Sequence, residues 1–319
     1  MPRDMTDRVP VVSVIIPAYN VAPFIGDTLR SVLAQTFSEY EVIIINDGSP
    51  DTVELETVLA PYLDRITYLK QHNQGAGAAR NTGLRAARGE FVAFLDGDDE
   101  WVPTFLEKQI RLIRSGPGYD LVYADAQLFG NSPKARGTVM QREPSDGPVT
   151  FESLLAERCL INTSTVVARR EPILEVGLFD VTLRNSQDFD LWVRLAKRNG
   201  ARMTYQREVL ARHRVWNGSL ASDGIKSVEG ELKVLAKVSQ RADLTPGERE
   251  ALSRTVSLRS ASVEVDRGKR SLLHGEFEAA AKSFRFANDY YRNWKLTMVL
   301  WCLRIAPQLL RRVYQLRAT

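Results

Sequence analysis

Three carboxylates close together are the strongest chemical signal in this sequence. Asp96, Asp98 and Asp99 come directly after the apolar run at residues 91–95. Like charges at this spacing repel each other, so at least one carboxyl group tends to keep its proton unless a cation is bound. Mg²⁺ and Mn²⁺ bind carboxylate oxygens together with the phosphates of a substrate. The cluster therefore predicts a metal–diphosphate site, with a solvated acidic turn as the alternative interpretation.

Two further polar segments follow apolar runs in the same way. The run at residues 11–16 is followed by the segment 17–20, and the run at 41–45 is followed by 46–49. In open α/β sheets, ligands bind outside the carboxyl ends of the strands. We therefore expect these two segments and residues 96–99 to converge on one crevice.

The elements that position these segments alternate between strand and helix over roughly the first 120 residues. Continuous apolar runs favour buried parallel strands, and a period near 3.6 favours helices. The alternation predicts an α/β fold with a Rossmann-like, mostly parallel, doubly wound sheet. The predicted strands are 11–16, 41–45, 66–69, 91–95, 119–123 and 164–168, and the predicted helices lie near 25–33, 51–63 and 76–87, after residue 103 and from residue 187.

The remainder of the chain divides into a loop and a helical region. Residues 130–150 are rich in Gly, Pro, Ser and charge, which is typical of irregular structure. Past about residue 222 the pattern is helical, with a capping box from Thr245 to Glu248 and a turn at 274–277 between two helices. We therefore predict two domains, 1–222 with the α/β fold and 223–319 as an α-helical C-terminal region with a basic amphipathic tail.

The composition is that of a folded protein. The chain has 319 residues, 44% of them hydrophobic and 26% charged. Its two cysteines, Cys159 and Cys302, form no disulfide framework and fit a reducing compartment. Residues 1–10 have no apolar segment of the kind found in a signal peptide, and no stretch reaches the ~20 apolar residues of a spanning helix. These features predict a cytoplasmic location.

The positive charge is concentrated at the C-terminus. Residues 285–319 carry seven basic side chains and one acidic one, whereas the whole chain has a net charge of +4. A role in nucleic-acid binding therefore gains no support for the main domain. The tail combines Arg311 and Arg312 with apolar residues, which leaves two interpretations open. One is an interfacial helix on the inner, anionic surface of a membrane, and the other is a terminal helix packed on the catalytic domain.

Five segments in series resemble the family 2 glycosyltransferases, which have the GT-A fold. They are 14–20 (VIIPAYN), 46–49 (NDGS), 79–84 (ARNTGL), 96–99 (DGDD) and 188–192 (DFDLW). Each segment is weak alone, but their order and spacing together are specific. The resemblance covers roughly residues 9–222.

The resemblance implies an inverting transfer of a sugar from a nucleotide-sugar to an acceptor hydroxyl, on a saccharide or a lipid-linked acceptor in surface polysaccharide or glycoconjugate synthesis. It implies that Ala18 and Tyr19 flank the nucleobase. Asp47 would accept a hydrogen bond from the imide N–H of the base, which favours a UDP-sugar. The nucleotide-sugar-binding candidates are Pro17, Ala18, Tyr19, Asn20, Asp47, Arg80, Asp96 and Asp98.

The resemblance also implies the catalytic groups. Asp96 or Asp98 would hold the ribose, and Asp98 and Asp99 would hold Mn²⁺ or Mg²⁺ at the diphosphate. Asp188 would take the proton of the acceptor hydroxyl, as a carboxylate base must when a poor nucleophile attacks. Asp190 is the second candidate, but its helix position two residues later directs it elsewhere.

The sequence departs from the family pattern at two places. Gln187 stands where relatives often have Glu, and Trp216 stands where relatives often have His before a small turn. His213 lies three residues earlier, and whether it replaces that histidine stays open. Arg212 and Arg214 are candidates for contacts with the diphosphate, and an ordinary surface strand is the alternative.

Two rival functions are alternatives to sugar transfer. Sugar nucleotidyltransferases carry a Gly-rich, basic loop after the first strand, and residues 17–20 form no such loop. The segment 75–80 begins like a dinucleotide fingerprint, but Arg80 replaces its last glycine, so a helix N-terminus is the better interpretation. The other rival is a non-catalytic nucleotide-sugar-binding protein of the same fold, for which Gln187 and Trp216 are the only indications.

Overall fold

The computed structural model describes residues 9–116, 118–216 and 224–318. The chain forms two compact units, Met1–Ser222 and Asp223–Thr319, called here the N-terminal unit and the C-terminal unit. No helix in the described ranges is both long enough and apolar enough to cross a membrane.

The N-terminal unit contains one sheet with helices around it. Its strands are β1 Val12–Ala18, β2 Tyr40–Asp47, β3 Thr67–Gln71, β4 Phe91–Phe94, β5 Glu100–Trp101, β6 Leu121–Phe129, β7 Val167–Arg169 and β8 Met203–Arg214. Its helices are α1 Ala22–Leu33, α2 Thr52–Leu59, α3 Ala76–Ala86, α4 Phe105–Ile113, α5 Val139–Arg142, α6 Phe151–Leu155, α7 Arg170–Glu175 and α8 Gln187–Ala196.

The sheet has the strand order β3-β2-β1-β4-β7-β6-β8-β5. The first four strands in this order are parallel, and β6 also pairs in parallel with β8. The strand β7 is antiparallel to both of its neighbours, and β5 is antiparallel to β8. The predicted α/β fold is confirmed, with its parallel part in the half of the sheet that contains β1, β2 and β4.

The strand β1 is buried on both faces, which explains why its apolar residues do not alternate with polar ones. Val14 and Ile16 belong to the same core as Ile25 of α1. On the opposite face Ile15 lies against α3, where a Cβ added at Gly83 would stand 2.5 Å from Ile15 Cγ2. The absence of a side chain at Gly83 therefore lets α3 approach the sheet.

Three features of the N-terminal unit differ from the sequence predictions. The predicted loop 130–150 contains the short helix α5, whose start is stabilised by a capping box between Thr138 and Gln141. The predicted strand 164–168 is a 3-10 turn at Thr163–Thr165 followed by the shorter strand β7. The long strand β8 was not predicted, because its many polar and long side chains form no continuous apolar run.

The C-terminal unit is helical, as predicted. Its helices are α9 Gly224–Ser239, α10 Pro246–His274, α11 Phe277–Tyr291, α12 Trp294–Ile305 and α13 Pro307–Ala318. The capping box of Thr245 and Glu248 starts α10, and Gly275 ends it in the left-handed conformation. Both of these predictions are confirmed. The last four helices, α10 to α13, share a small core around Leu272, Ala280, Phe284 and Leu303.

Candidate active site

The polar ends of β1 and β2 lie side by side. The two strands are parallel and in register up to the pair of Ala18 and Asn46. Beyond that pair the backbone N–H of Asn20 donates to Ser49 Oγ at 2.6 Å. Ala18 is fully buried, whereas Tyr19 is 50% exposed. This end of the sheet therefore offers one exposed aromatic ring beside a rigid backbone.

Asp47 ends β2 and is 2% exposed. Its Oδ1 accepts hydrogen bonds from Gln71 Nε2 at 2.7 Å and from the backbone N–H of Gln74 at 3.0 Å. Its Oδ2 accepts from the backbone N–H of Gly75 at 2.8 Å. Asp47 thus holds the segment between β3 and α3 against the end of β2.

The acidic turn after β4 approaches the end of β1 closely. A Cβ added at Gly97 would stand 3.0 Å from the carbonyl oxygen of Pro17, and the Gly97 carbonyl accepts from Thr28 Oγ1 at 3.0 Å. The glycine in the Asp-Gly-Asp-Asp sequence is thus needed for close packing. Residues 17–20, 46–49 and 96–99 therefore stand at the carboxyl ends of three neighbouring parallel strands.

Asp96 forms an ion pair with a buried arginine. Arg80 Nη2 lies within hydrogen-bond distance of Asp96 Oδ1, and Arg80 is only 7% exposed. The guanidinium group also lies over the ring of Phe179, 5.6 Å from its centroid. Within the described residues, Arg80 Nε is buried and has no hydrogen-bond partner. The arginine therefore keeps one donor that no described residue of the chain uses.

Asp99 is fully buried and accepts from two residues of β8. Its Oδ2 is 2.9 Å from His213 Nδ1, and its Oδ1 accepts from the backbone N–H of Arg214 at 2.8 Å. Burial lowers the pKa of His213, but the charge and hydrogen bond of Asp99, with smaller contributions from Asp96 and Asp98, outweigh it and raise that pKa to about 9. At neutral pH the His213 imidazole, which is 30% exposed, is therefore protonated beside a fully buried carboxyl group.

Asp98 has the most perturbed carboxyl group of the turn. Its Oδ2 accepts from Trp216 Nε1 at 2.7 Å. Burial and the neighbouring charges of Asp99 and Asp96 raise the pKa of Asp98 to about 7, although the Trp216 hydrogen bond opposes this shift. Like charges therefore repel in this turn, as the spacing of the three aspartates predicts.

Arg214 encloses this cluster from the side of β8. Its Nε donates to the carbonyl oxygen of Asp98 at 2.9 Å, and its Nη2 is 3.1 Å from Glu100 Oε1. The guanidinium group lies over the rings of Phe24 and Phe129, 4.6 Å and 4.3 Å from their centroids. Arg214 is therefore part of the site's framework, a finding that goes beyond the two interpretations left open by the sequence.

Asp188 lies in the first turn of α8. Its Oδ2 accepts from Thr163 Oγ1 at 2.8 Å, and its Oδ1 accepts from the backbone N–H of Phe189 at 2.9 Å. The next residue after Thr163 is Ser164, whose Oγ accepts from the backbone N–H of Asp96 at 3.2 Å. Two consecutive residues thus connect Asp188 to the acidic turn.

The neighbours of Asp188 have structural contacts. Asp190 is 2% exposed and pairs with Arg194, with 2.8 Å between Asp190 Oδ2 and Arg194 Nε. Gln187 is also buried, and a Cβ added at Gly77 would stand 2.8 Å from Gln187 Cδ. Gln187 therefore packs against the start of α3, and Asp188 is the half-buried carboxylate of this helix start.

One carboxylate oxygen of this cluster is available to a divalent cation. In the described ranges, no three His, Cys, Asp or Glu side chains are gathered closely enough to hold a metal ion by themselves. Asp98 Oδ1, however, has no hydrogen-bond partner among the described residues, and its raised pKa shows that a nearby positive charge would be favourable. Mg²⁺ commonly uses only one or two protein carboxylates beside substrate phosphates.

The structure brings most of the predicted residues together at one edge of the sheet. It adds Thr163 and Ser164, which sequence reasoning missed, and it places Arg214, a sequence candidate for the diphosphate, in the framework of the acidic turn. A lone threonine or serine carries no local signal of its partner. The positive charge of the Arg-His-Arg sequence at 212–214, by contrast, is a local signal for contacts with a diphosphate. The turn at 217–220 of the family pattern lies outside the described residues.

The sequence matches the family model "Glycosyl transferase family 2" over residues 13–173. An uncharacterized glycosyltransferase of Rickettsia prowazekii is 30% identical over 72% of this chain and 73% of its own length. The Escherichia coli UDP-Glc:alpha-D-GlcNAc-diphosphoundecaprenol beta-1,3-glucosyltransferase WfgD is 29% identical over 70% of this chain and 85% of its own length. Other relatives are longer, and the chain spans only 32% of one from Rickettsia felis.

Two solved structures share the fold. The TarS fragment 1–349 of S. aureus in complex with UDP-GlcNAc has a TM-score of 0.63 and 19% identity, covering 95% of this chain and 90% of that one. The mannosyltransferase PcManGT of Pyrobaculum calidifontis, in complex with GDP-Man and Mn²⁺, has a TM-score of 0.63 and 17% identity, covering 97% of this chain and 85% of that one.

Proposed function

This chain belongs to glycosyl transferase family 2, and we propose that it transfers a sugar from a UDP-sugar to an acceptor hydroxyl with inversion at the anomeric carbon. The observation that carries this proposal is the connection through Thr163 and Ser164. It joins a half-buried carboxylate, Asp188, to a turn of three carboxylates. A base on one side and a charge-stabilising group on the other are what a single displacement needs.

The ends of β1 and β2 are the proposed nucleobase site. The exposed ring of Tyr19 offers a surface on which a base can stack. An ionised carboxylate has about four acceptor positions, and Asp47 uses three of them for the segment 71–75. The fourth is the proposed acceptor for the imide N–H of uracil. Pro17, Ala18 and Asn20 form the wall beside it.

The acidic turn is the proposed site for the ribose and the diphosphate. Asp96 or Asp98 would hold the ribose, Asp98 would hold Mn²⁺ or Mg²⁺, and Arg80 supports the turn through Asp96. For Asp99 the role of metal ligand stays a prediction only, because both of its carboxylate oxygens already accept hydrogen bonds from β8. When bound, the cation neutralises charge that develops on the leaving diphosphate. A relative in fold is bound to GDP-Man and Mn²⁺, which supports this assignment.

Asp188 is the proposed base. The hydrogen bonds from Thr163 and Phe189 N–H fix the orientation of its carboxylate, and the lone pairs left over are available for the proton of the acceptor hydroxyl. General-base catalysis of this kind contributes about 10²–10⁴-fold to a rate. The acceptor is a saccharide or a lipid-linked saccharide, as the name of the E. coli relative suggests. The enzyme would then build surface polysaccharide, from a peripheral position on the cytoplasmic face of the membrane.

The first test is calorimetric titration of UDP into the full-length protein, with Mn²⁺ and then with EDTA. We expect binding that weakens when the metal is removed. If UDP binds equally in both conditions, the metal assignment is wrong. If GDP or dTDP binds and UDP does not, the assignment of uracil as the nucleobase of the donor is wrong.

The second test compares Asp188→Asn with Asp27→Asn, a control in an exposed ion pair with Arg30. With a panel of lipid-linked saccharide acceptors, we expect Asp188→Asn to lose sugar transfer by about 10²–10⁴-fold and to bind UDP as the native protein does. Retained transfer in Asp188→Asn would remove this residue from the role of base. UDP binding without turnover by the native protein on any acceptor favours the non-catalytic alternative.

A further inference from the structure

The helix α12 has apolar side chains on two opposite faces. Leu296, Val299, Leu300 and Leu303 pack in the core of the C-terminal unit. At about 100° per residue, Trp294, Met298, Trp301 and Ile305 fall within about 60° of one another on the other side. We call the first set the inner stripe and the second set the outer stripe. One apolar face suffices to attach a helix to its own domain, so the outer stripe has no role in that packing.

The outer stripe is exposed. The exposed fractions are 66% for Trp294, 54% for Met298, 64% for Trp301 and 61% for Ile305. The pattern continues on α13, where Leu309 and Leu316 are 63% and 78% exposed and Leu310 and Tyr314 pack inward. Scattered apolar residues on a surface are ordinary, but several turns of them on one helix face mark an interaction site.

Basic side chains border the outer stripe. Lys295 and Arg304 lie about 80–100° to either side of its centre, and Arg312 stands beside Leu309 on the helix α13. All three are exposed, and none of them has an ion-pair partner among the described residues. Long basic side chains in this position can extend to anionic groups while their stems lie along apolar surface.

The composition of this surface indicates an anionic lipid bilayer as its binding partner. Trp at the boundary, aliphatic side chains in the middle and Lys or Arg at the edges are the pattern of a helix lying in the interface of an anionic bilayer. A second copy of the chain is disfavoured, because it would bring the same excess of seven basic side chains over one acidic one at residues 285–319. The helix α12 has 12 residues, too few to cross a bilayer.

We propose that the outer stripe of α12, with its continuation on α13, docks the protein on an anionic membrane surface. The aromatic and aliphatic side chains enter the boundary between head groups and acyl chains, and the basic side chains contact lipid phosphates. Docking through this surface deepens the proposed membrane position and uses no residue of the sugar-transfer site, so it can fail while the proposed sugar transfer holds.

The test is flotation of the full-length protein with vesicles of phosphatidylcholine, with and without phosphatidylglycerol. We expect binding to the mixed vesicles and little binding to phosphatidylcholine alone. Met298→Glu/Trp301→Glu is expected to bind the mixed vesicles at least tenfold more weakly, since it removes buried apolar area and adds negative charge. Val53→Glu is the matched control, because Val53 is 75% exposed in the N-terminal unit, and it should float as the native protein does.

A second variant separates the electrostatic part. Lys295→Gln/Arg304→Gln keeps the outer stripe and should weaken binding to mixed vesicles by about fivefold for each charge removed. Equal binding by the native protein and Met298→Glu/Trp301→Glu would overturn the proposal. So would a native protein that does not float and forms a dimer which these substitutions dissociate, since the stripe would then bind a second copy. UDP calorimetry on the same samples reports separately on the sugar-transfer site.

Discussion

The two units of this protein depart from ordinary burial in opposite directions. The N-terminal unit buries carboxylates, which are rarely buried unless they are paired, and Asp47 and Asp99 are 2% and 0% exposed. The C-terminal unit exposes large apolar side chains, and Trp294 and Trp301 are more than half exposed. The buried carboxylates have hydrogen-bond partners, whereas the exposed tryptophans project away from their own core. Buried carboxylates with hydrogen-bond partners are typical of a site built from the chain's own residues. Exposed tryptophans are typical of a surface that binds another molecule.

The largest expected effect concerns Asp99, the fully buried partner of His213. Asp99→Ala removes the acceptor of both His213 and the Arg214 N–H, so we expect a loss of about 3–5 kcal/mol in the free energy of unfolding. Asp27→Ala, in the exposed pair with Arg30, should cost less than about 1 kcal/mol. Urea unfolding followed by tryptophan fluorescence measures both. If both substitutions lower the free energy of unfolding by less than about 1 kcal/mol, the buried Asp99 contributes no more to stability than an exposed ion pair does.

The second prediction compares the two faces of α12. Leu303→Ala on the inner stripe should destabilise the C-terminal unit by about 2–5 kcal/mol, because it leaves a cavity in a small core. Met298→Ala on the outer stripe should change its stability by about 0.5 kcal/mol or less. Hydrogen exchange of α11 and α12 measures this unit separately. Equal protection losses in the two variants would contradict the assignment of inner and outer stripes.

The third prediction uses the pKa of Asp98. Its folded value of about 7 lies above the ordinary 3.8, so the folded state binds this proton more tightly than the unfolded state. The resulting stabilisation is present at low pH and is lost as pH rises from about 4 to about 7. The Asp98→Asn variant has no carboxyl group at this position, so its stability does not fall in this pH range for this reason. In EDTA, the Tm of the variant minus that of the native protein should therefore increase by several degrees between pH 5 and pH 8. A difference that does not change with pH would show that the carboxyl group is not perturbed.

The smallest effect concerns the orientation of Asp188. Thr163→Val removes one hydrogen bond to this carboxylate, so turnover should fall by about tenfold while the KM for the donor stays unchanged. Thr57→Val, on the exposed side of α2, is the control. If the KM rises and turnover does not fall, Thr163 acts on the donor rather than on the base.

Local patterns predicted much of the fold because their causes are local. Runs such as 42–45 are apolar without alternation, which is typical of strands covered on both faces, and the polar segments that contain the carboxylates follow them. The capping box at Thr245 likewise needs only residues three positions apart. By contrast, β8 was missed because its burial comes from pairing with β6 and β5, and its own residues are mostly polar.

The sequence by itself determined where the aspartates stand, since a strand end and its turn are neighbours in the chain. Only the tertiary structure decided their partners, because Thr163 is 25 positions from Asp188 and Trp216 is 118 positions from Asp98. It also decided which face of α12 is covered. A helix with apolar side chains on two opposite faces carries no sequence signal of which face is covered. The packing of Leu303 in the core with Phe284 therefore had to select the inner face and leave Trp301 exposed.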